Sequence, residues 1–303
     1  MKQGPGISRL PYHLMLLLTA MIWGFAFVAQ RLGNDALNPL LFNGLRFGLG
    51  ALAVLLLRML DRETVKGIAF RNIRKSLLLG TVLFIAASLQ QIGLLWTTAG
   101  SAGFITGLYV VFIPLLGLLA GHRFTQGMVL ATSLAVLGLW LINTGAALDA
   151  TFGNALVLLS ALFWAVHVLL IGKYTIAASS LELAIGQYTV CAVLSLISGT
   201  ILLALDVEGF GIKASLTEDI LAATAPILYG GVMSVGIAYT MQLHAQKRVK
   251  PQAAGVIMCS EAVFAMLGGI LILKERPDAW AYLGAALVLS AMLVPKERGV
   301  QEG

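Results

Sequence analysis

The sequence predicts an all-α integral membrane protein with ten transmembrane helices, arranged as two inverted five-helix repeats with both termini in the cytoplasm. Three observations predict it: the composition, the length of the apolar runs and an internal repeat. Hydrophobic residues make up 59% of the 303 residues and charged residues 11%, whereas about a quarter of a soluble domain is charged. The apolar runs are continuous rather than alternating, which indicates helices and excludes a membrane β-barrel.

Ten apolar runs come close to the ~20 residues that a helix needs to cross a bilayer. In chain order they are 14–30, 40–57, 76–95, 100–120, 127–143, 153–172, 183–204, 221–246, 252–273 and 279–294. Most connections between them are short, so we expect antiparallel neighbours. The longest connection, 58–75, mixes basic and apolar residues. It is either a short interfacial helix over anionic headgroups or a solvated basic loop.

The internal repeat relates residues 79–123 to residues 231–275 at an offset of 152, so that Gln90 corresponds to Gln242. A second offset of 141 relates Trp23 to Trp164. We therefore expect two units, 1–148 and 149–303. Because each unit has an odd number of spans, the second must enter the membrane in the opposite orientation. Inverted repeats are the architecture of secondary transporters, whose substrate site lies where the repeats meet.

The basic residues predict the orientation in the membrane. If the amino terminus is cytoplasmic, 15 of the 20 Lys and Arg residues fall in cytoplasmic segments, four fall outside and Arg46 lies within a span. The positive-inside rule then places both termini in the cytoplasm. The net charge of +6 is accounted for by this distribution, and we expect no nucleic acid as a partner.

Two charged residues lie deep within spans, Arg46 in the second and Glu261 in the ninth. Charges at membrane depth are costly and face a bundle interior or a cavity. Each is therefore either a structural charge, with an ion pair between the two as one form, or a coupling group. His244 near the end of the eighth span has the same two alternatives. Pro114 within the fourth span predicts a hinge or a static kink.

The candidate substrate site consists of aromatic, amide and histidine side chains in the spans. Apolar walls with a few convergent polar groups are typical of a small-molecule site. Trp23 and Trp164, and likewise Gln90 and Gln242, are repeat partners, so inverted symmetry would place them on opposite sides of a central cavity. The predicted wall residues are Trp23, Gln90, Tyr109, Trp164, His167, Gln187, Tyr239 and Gln242.

Nothing in the sequence indicates an enzyme. It has no Walker A motif, no Cys and His spacing for a metal, no G-x-S-x-G and no H-E-x-x-H. We therefore expect no catalytic residue, no metal and no cofactor, and an ATP-driven pump only if a partner supplies the ATPase. Cys191 and Cys259 both fall within spans, which excludes a disulfide framework. The first apolar run has no cleavage signal and should remain as a helix.

Several motifs together resemble the EamA-type permeases of the drug/metabolite transporter superfamily. They are Arg46-Phe47, Ala102-Gly103-Phe104-Ile105-Thr106, Ile113-Pro114, the stretch from Tyr239 to Arg248, Ala253-Ala254, Ser260 to Ala265, and Lys274-Glu275-Arg276-Pro277. The resemblance covers residues 11–295. The chain departs from it at Glu261-Ala262, where the family often has Glu-Pro, and at Gly121-His122, where it often has Gly-Glu. The two halves are therefore not expected to be functionally equal.

The resemblance implies ten helices with cytoplasmic termini, inverted repeats and a central cavity. It also implies transport of small metabolites across a bacterial inner membrane, with exporters of aromatic and other neutral amino acids as the most similar subgroup. The first and sixth spans carry no carboxylate, so the coupling mechanism of the related four-helix multidrug proteins does not carry over.

Three classes of function follow from these observations. The first is a secondary carrier for a small organic metabolite that works by alternating access. The second is an uncoupled facilitator, or a permease for drugs or other metabolites. The third, a polytopic membrane enzyme or scaffold, has no catalytic constellation to support it. The expected partners are a small-molecule substrate and the lipid bilayer. Proton coupling, transport direction and the choice between monomer and homodimer stay open.

Overall fold

A computed structural model describes residues 10–60, 72–119, 125–143, 152–176, 178–274 and 276–294. These residues form helices and turns without a strand. The first half consists of α1 (Leu10–Ala36), α2 (Pro39–Leu60), α3 (Ile73–Gly93), α4 (Ala99–Gly107), α5 (Tyr109–Leu119) and α6 (Gln126–Ile142). Most of the basic connection 58–75, the predicted repeat boundary at 148 and both termini lie outside the described residues.

The second half begins with α7 (Phe152–Tyr174) and α8 (Ser180–Ala204). Its next span consists of α9 (Leu216–Ala222), α10 (Thr224–Leu228), a π-helical segment (Tyr229–Tyr239) and α11 (Thr240–Ala245). The last two apolar runs form α12 (Pro251–Met258), α13 (Glu261–Gly268) with a π-helical end (Gly269–Leu273), and α14 (Ala279–Leu293).

Every predicted apolar run is helical in the part of the chain that the structure describes. Seven helical stretches there are long and apolar enough to cross a membrane, and the pair Leu216–Ala222 and Thr224–Ala245, bent by 65°, makes up to eight. The helices α6 and α14 are apolar but shorter, with 17 and 15 residues. Seven or eight spans are therefore supported by length and composition, and ten crossings stay a prediction.

The fourth and ninth runs break at corresponding places. The break after α4 lies at Leu108, and the break after α12 lies at Cys259 and Ser260. The backbone N–H of Leu108 donates to the carbonyl of Ile105, and that of Ser260 to the carbonyl of Ile257, both at 3.2 Å. These three-residue bonds tighten the helix locally. In the second break the hydroxyl of Ser260 also donates to Ile257 at 2.7 Å, a bond that bends helices.

The break near Leu108 was not predicted from the sequence, which pointed to Pro114. Pro114 is buried inside α5, and the helix continues through it to Leu119. A proline removes one backbone donor and is tolerated in a membrane helix where neighbouring groups compensate. Whether Pro114 acts as a hinge stays a prediction.

Helices of each half pack mainly against helices of the other half. The first helix, α1, packs on the π-helical segment and on α11, α12 and α13, whereas α7 packs on α3, α4 and α5. The second helices, α2 and α8, pack on each other, and so do α6 and α14. Each half therefore completes the other, and the residues in the middle of these spans meet at the centre.

Glycines allow the closest of these contacts. A Cβ added to Gly138 in α6 would lie 2.6 Å from the carbonyl oxygen of Gly284, and one added to Gly284 in α14 would lie 2.5 Å from that of Gly138. A Cβ on Gly24 in α1 would lie 2.6 Å from the carbonyl oxygen of Glu261 in α13. Small residues let helix backbones approach in lipid, and here they hold α1 against the broken span.

The outer surface of the bundle is apolar. Large hydrophobic side chains such as Leu119 and Leu271 are 87% and 71% exposed, as expected of helices that face lipid. Exposed aromatic side chains lie near the helix ends that the charge distribution places outside the cell, namely Trp96, Trp140, Phe152, Trp280 and Tyr282. Aromatic belts of this kind mark the membrane interface.

Candidate functional site

A cavity lies at the centre of the bundle, where α1, α2, α3, α4 and α5 meet α7, the π-helical segment and α11 to α13. Its volume, counted as the space in which the centre of a water molecule fits, is about 30 Å³. A water needs roughly 10–15 Å³ on this measure, so there is room for about two waters. Its wall consists of Trp23, Ala26, Phe27, Gln30, Arg46, Gln90, Thr106, Tyr109, Trp164, Val168, Ser234, Tyr239, Gln242, Met258 and Glu261.

Tyr239 is the centre of an aromatic wall. Its ring centroid lies 4.5 Å from that of Trp23 and 6.0 Å from that of Trp164, with the Trp164 ring stacked at 25°. Phe47 and Tyr188 lie 6.1 and 6.2 Å away. Tyr239 ends the π-helical segment, and π-helical turns are frequent at functional sites. The arrangement provides flat apolar surfaces from both halves.

Several polar groups in this wall have no hydrogen-bond partner within the described residues. They include both polar atoms of the Gln242 amide and the indole N–H of Trp164. By contrast, the amide nitrogen of Gln90 donates to the hydroxyl of Thr106 at 2.8 Å. Leaving a buried polar atom unpaired costs about 1–3 kcal/mol. Water or a bound molecule in the cavity would remove this cost.

His167 and Gln187 lie behind this wall and do not line the cavity. Both are fully buried, and the His167 Nε2 and Gln187 Oε1 atoms are 2.9 Å apart. The imidazole stands edge-on to Tyr239, with centroids 6.4 Å apart. The pair therefore supports the aromatic wall from outside the cavity.

Arg46 enters the cavity wall from α2. Its Nε donates to the side-chain oxygen of Asn43 at 2.9 Å. Its guanidinium carbon lies 4.9 Å from the ring centroid of Phe47 and 5.7 Å from that of Phe42. These are distances at which a cation is attracted to an aromatic face.

Glu261 enters the wall from the first turn of α13 and is 3% exposed. Its Oε1 has no hydrogen-bond partner within the described residues. Arg46 and Glu261 form no ion pair in this part of the chain, so the ion pair considered from the sequence is absent. Tyr239 lines the same cavity and interacts electrostatically with both side chains.

His244 lies away from the cavity. It is exposed on α11 and stacks against Tyr12 at a centroid distance of 6.0 Å. Six of the eight residues predicted for the substrate site thus line one cavity, together with Arg46 and Glu261. Within the described residues, no three His, Cys, Asp or Glu side chains are grouped closely enough to hold a metal ion.

Polar wall residues that were not predicted from the sequence include Gln30, Thr106 and Ser234. Gln30 follows Trp23 by seven residues, and side chains seven apart share one face of a helix. That spacing was a usable signal. The backbone carbonyl of Ser234 accepts the Trp23 indole N–H at 3.4 Å, a contact that does not depend on the side-chain type and that the sequence therefore does not signal.

Comparisons with known proteins agree with this architecture. The EamA-like transporter family matches the chain twice, over residues 10–144 and 151–294. An uncharacterized transporter of Archaeoglobus fulgidus is 28% identical over 291 residues, covering 95% of this chain and 87% of that protein. The uncharacterized transporter YoaV of Bacillus subtilis is 21% identical over 283 residues, covering 91% and 93%.

A crystal structure of another protein superposes with a TM-score of 0.75 at 18% sequence identity, covering 95% of this chain and 96% of that one. At this identity the similarity concerns the fold alone. The family match, in contrast, covers both halves and nearly all of the described residues. The chain is a multi-pass membrane protein that belongs to the EamA-like transporter family, and so a transporter.

Proposed function

We propose that the protein is a secondary transporter that exports an amino acid with an aromatic or other neutral side chain across a bacterial inner membrane. The observation that carries the proposal is the central cavity, which both halves build and which combines an aromatic wall with unpaired polar groups. Small-molecule sites combine these two features. The resemblance to amino-acid exporters supports the substrate class and the direction.

We further propose ten crossings in two inverted repeats, with α6 and α14 as the two short spans. The exchange of helix partners between the halves supports this arrangement. So does the occurrence of both breaks, at Leu108 and Ser260, 152 residues apart. In such an architecture, one repeat or helix bundle rocks against the other around a fixed central site.

Transport then requires the helices around the cavity to separate. A cavity with room for about two waters is too small for an amino acid, so this conformation is closed around its centre. At the predicted outer end, Arg31 donates to the carbonyl of Leu94 at 2.7 Å and Lys213 to that of Asn34 at 2.8 Å. These bonds join α1 to the α3–α4 turn and to the loop before α9. Opening of the cavity toward the outside would break them.

The predicted inner end is closed by different contacts. The amide nitrogen of Gln246 donates to the carbonyl of Val168 at 3.0 Å. Arg58 and Glu182 form an ion pair with a 3.6 Å separation between α2 and α8. Opening toward the cytoplasm would separate these pairs while the outer contacts persist.

Glu261 is the proposed proton-coupling group. Among the described residues it is the single acid in the cavity wall, and it has no ion-pair partner there. A carboxyl that meets water alternately from the two sides can pick up a proton on one side and release it on the other. The competing function, an uncoupled facilitator, would leave Glu261 as a structural acceptor.

Purified protein in liposomes tests the proposal. We expect exchange of radiolabelled phenylalanine, tyrosine, tryptophan or leucine across the membrane, with accumulation driven by an imposed pH gradient. Liposomes without the protein are the control. Exchange without gradient-driven accumulation would identify a facilitator. Absence of exchange for all neutral amino acids would exclude the proposed substrate class.

A further inference from the structure

Arg46 is a buried cation that the protein holds in place without neutralising it. The residue is 2% exposed. Of its five guanidinium N–H groups, the one on Nε donates to Asn43. In the part of the chain that the structure describes, neither terminal nitrogen has a hydrogen bond or an acidic partner. The edge of the guanidinium that carries both terminal nitrogens is thus unused.

The remainder of the side chain is fixed from three sides. Asn43, which accepts from Nε, is itself anchored because its amide nitrogen donates to the carbonyl of Ala87 at 3.1 Å. The Phe47 ring covers the guanidinium at 4.9 Å. The Arg46 stem lies close to the backbone of Gly230, where an added Cβ would come within 3.2 Å of Cδ. An arginine held in this way offers a preorganised fork.

A buried charge without a counterion is costly, and structural arginines at such depth are normally paired. The acid in the cavity wall, Glu261, is not a partner, because it forms no ion pair with Arg46 among the described residues. The free edge of a guanidinium matches a carboxylate through two parallel hydrogen bonds. The chemistry that completes this site is therefore an anionic oxygen pair supplied by a bound molecule.

We propose that Arg46 binds the carboxylate of the transported molecule, with the aromatic wall of Trp23, Tyr239 and Trp164 receiving the apolar part. The inference rests on the proposed function for the identity of the molecule as an amino acid. It adds that a free carboxylate is required for binding, and that Arg46 is the residue that selects it. The amine is not the selected group.

A ligand series on the wild-type protein tests the requirement without any substitution. The probes are L-phenylalanine, 3-phenylpropionate, which lacks the amine, and L-phenylalanine methyl ester and 2-phenylethylamine, which both lack the carboxylate. A ligand that binds the folded state raises the midpoint of thermal unfolding. We expect the two carboxylates to stabilise the protein in detergent and to inhibit exchange in liposomes. Equal binding of the ester and the amine would overturn the proposal.

Substitutions of Arg46 then test whether this residue is responsible for the carboxylate requirement. Arg46→Lys keeps the charge but loses the fork, and we expect carboxylate binding to weaken about 10- to 100-fold, the usual range for losing a hydrogen bond to a charged group. Arg46→Gln should abolish the preference for 3-phenylpropionate over 2-phenylethylamine. Arg74→Lys, at an exposed position on α3, is the matched control. Unchanged carboxylate affinity in a folded Arg46→Lys protein would exclude the assignment.

The proposal of amino-acid transport and the proposal of a carboxylate site at Arg46 can be contradicted independently of each other. If no amino acid is exchanged but 3-phenylpropionate still stabilises the protein through Arg46, the proposed substrate is wrong and the carboxylate site stands. If phenylalanine and its methyl ester are exchanged equally well, the transport function stands and the carboxylate site is wrong. If the Arg46 variants do not fold, the wild-type ligand series alone decides.

Discussion

Tyr109 and Glu261 are the first residues of the second pieces of the two broken spans, and their side chains lie next to each other in the cavity wall. The two positions are 152 residues apart, which is the offset of the internal repeat. The Tyr109 hydroxyl interacts with the Glu261 carboxyl group, and the Oε1 atom of that group has no hydrogen-bond partner within the described residues. The first half thus places a phenol where the second places an acid, so the halves differ at the centre of the site.

Replacing Glu261 by glutamine separates coupling from structure. The amide has the same shape and keeps an acceptor oxygen, but it cannot carry a proton in the relevant pH range. If Glu261 couples transport to protons, we expect Glu261→Gln to lose accumulation driven by a pH gradient while gradient-free exchange continues. The measurement is radiolabel uptake in liposomes with and without the gradient.

The control for this prediction is Glu218→Gln, at an exposed carboxylate on α9 whose side chain interacts with Ser215. It should accumulate substrate as the wild type does. Wild-type accumulation by Glu261→Gln would show that the carboxylate is a structural acceptor and that protons are not coupled through it.

Gly24 tests the packing of α1 on the broken ninth span. A Cβ there would clash with the Cβ of Phe264 and lie 2.7 Å from the backbone nitrogen of Ala265, and a backbone cannot move aside as a flexible side chain can. Overpacking typically costs about 1–3 kcal/mol. We therefore expect Gly24→Ala to lower the midpoint of thermal unfolding in detergent by several degrees, together with the transport rate.

Gly100 provides the matched control in α4, because an added Cβ there meets nothing within 4 Å. Alanine is favoured over glycine in a helix by about 0.8–1.0 kcal/mol, so Gly100→Ala should be neutral or slightly stabilising. Equal unfolding midpoints for the two variants would contradict the observed contact between α1 and α13.

Trp23 tests the aromatic wall. Its ring lies 4.5 Å from that of Tyr239 and its N–H faces the carbonyl of Ser234. We expect Trp23→Ala to weaken binding of phenylalanine by about tenfold, since an aromatic pair contributes about 0.5–1.5 kcal/mol beyond area burial. Trp280→Ala, at a 58% exposed position, should leave binding unchanged. Equal effects of the two substitutions on thermal-shift titrations would remove Trp23 from the site.

The positions of the spans could be predicted because bilayer thickness imposes a minimum length on every apolar run. The break in the fourth span was not predicted, although Gly107 directly precedes it, because glycines are frequent in membrane helices and do not by themselves end them. The break is made by the bond from the Leu108 N–H to the Ile105 carbonyl. Pro114, the visible breaker, is accommodated within α5. Propensity is a weak prior when tertiary packing decides the local geometry.

Residues of the candidate site could be predicted where a mid-span position and a partner in the other repeat indicated them. Trp23 and Trp164 are repeat partners in mid-span, and both line the cavity. His167 is equally deep but faces Gln187 instead, because depth does not fix which face of a helix meets the centre. The unused edge of Arg46 depends on contacts from other helices, and no sequence spacing encodes it.

The orientation in the membrane is the last prediction, and it rests on the distribution of 15 basic residues on one side against four on the other. Cys191 and Cys259 are both fully buried, so alanine at these positions gives a cysteine-free background. Single cysteines are then introduced at four positions predicted to be cytoplasmic, namely Lys66, Arg123, Lys173 and Lys250. We expect a membrane-impermeant maleimide to label them only after the cells are permeabilised.

Thr217, exposed on α9 in the segment predicted to be outside, provides the opposite case, and Thr217→Cys should be labelled in intact cells. Lys66 is the most informative position for the topology, because it lies in the most basic connection. An error in the number of spans before it would place it on the opposite side of the membrane. Labelling of Lys66→Cys in intact cells, with Thr217→Cys protected, would invert the whole topology. Labelling of both from outside would mean that an even number of crossings separates Lys66 from Thr217, in place of the five that ten spans place between them.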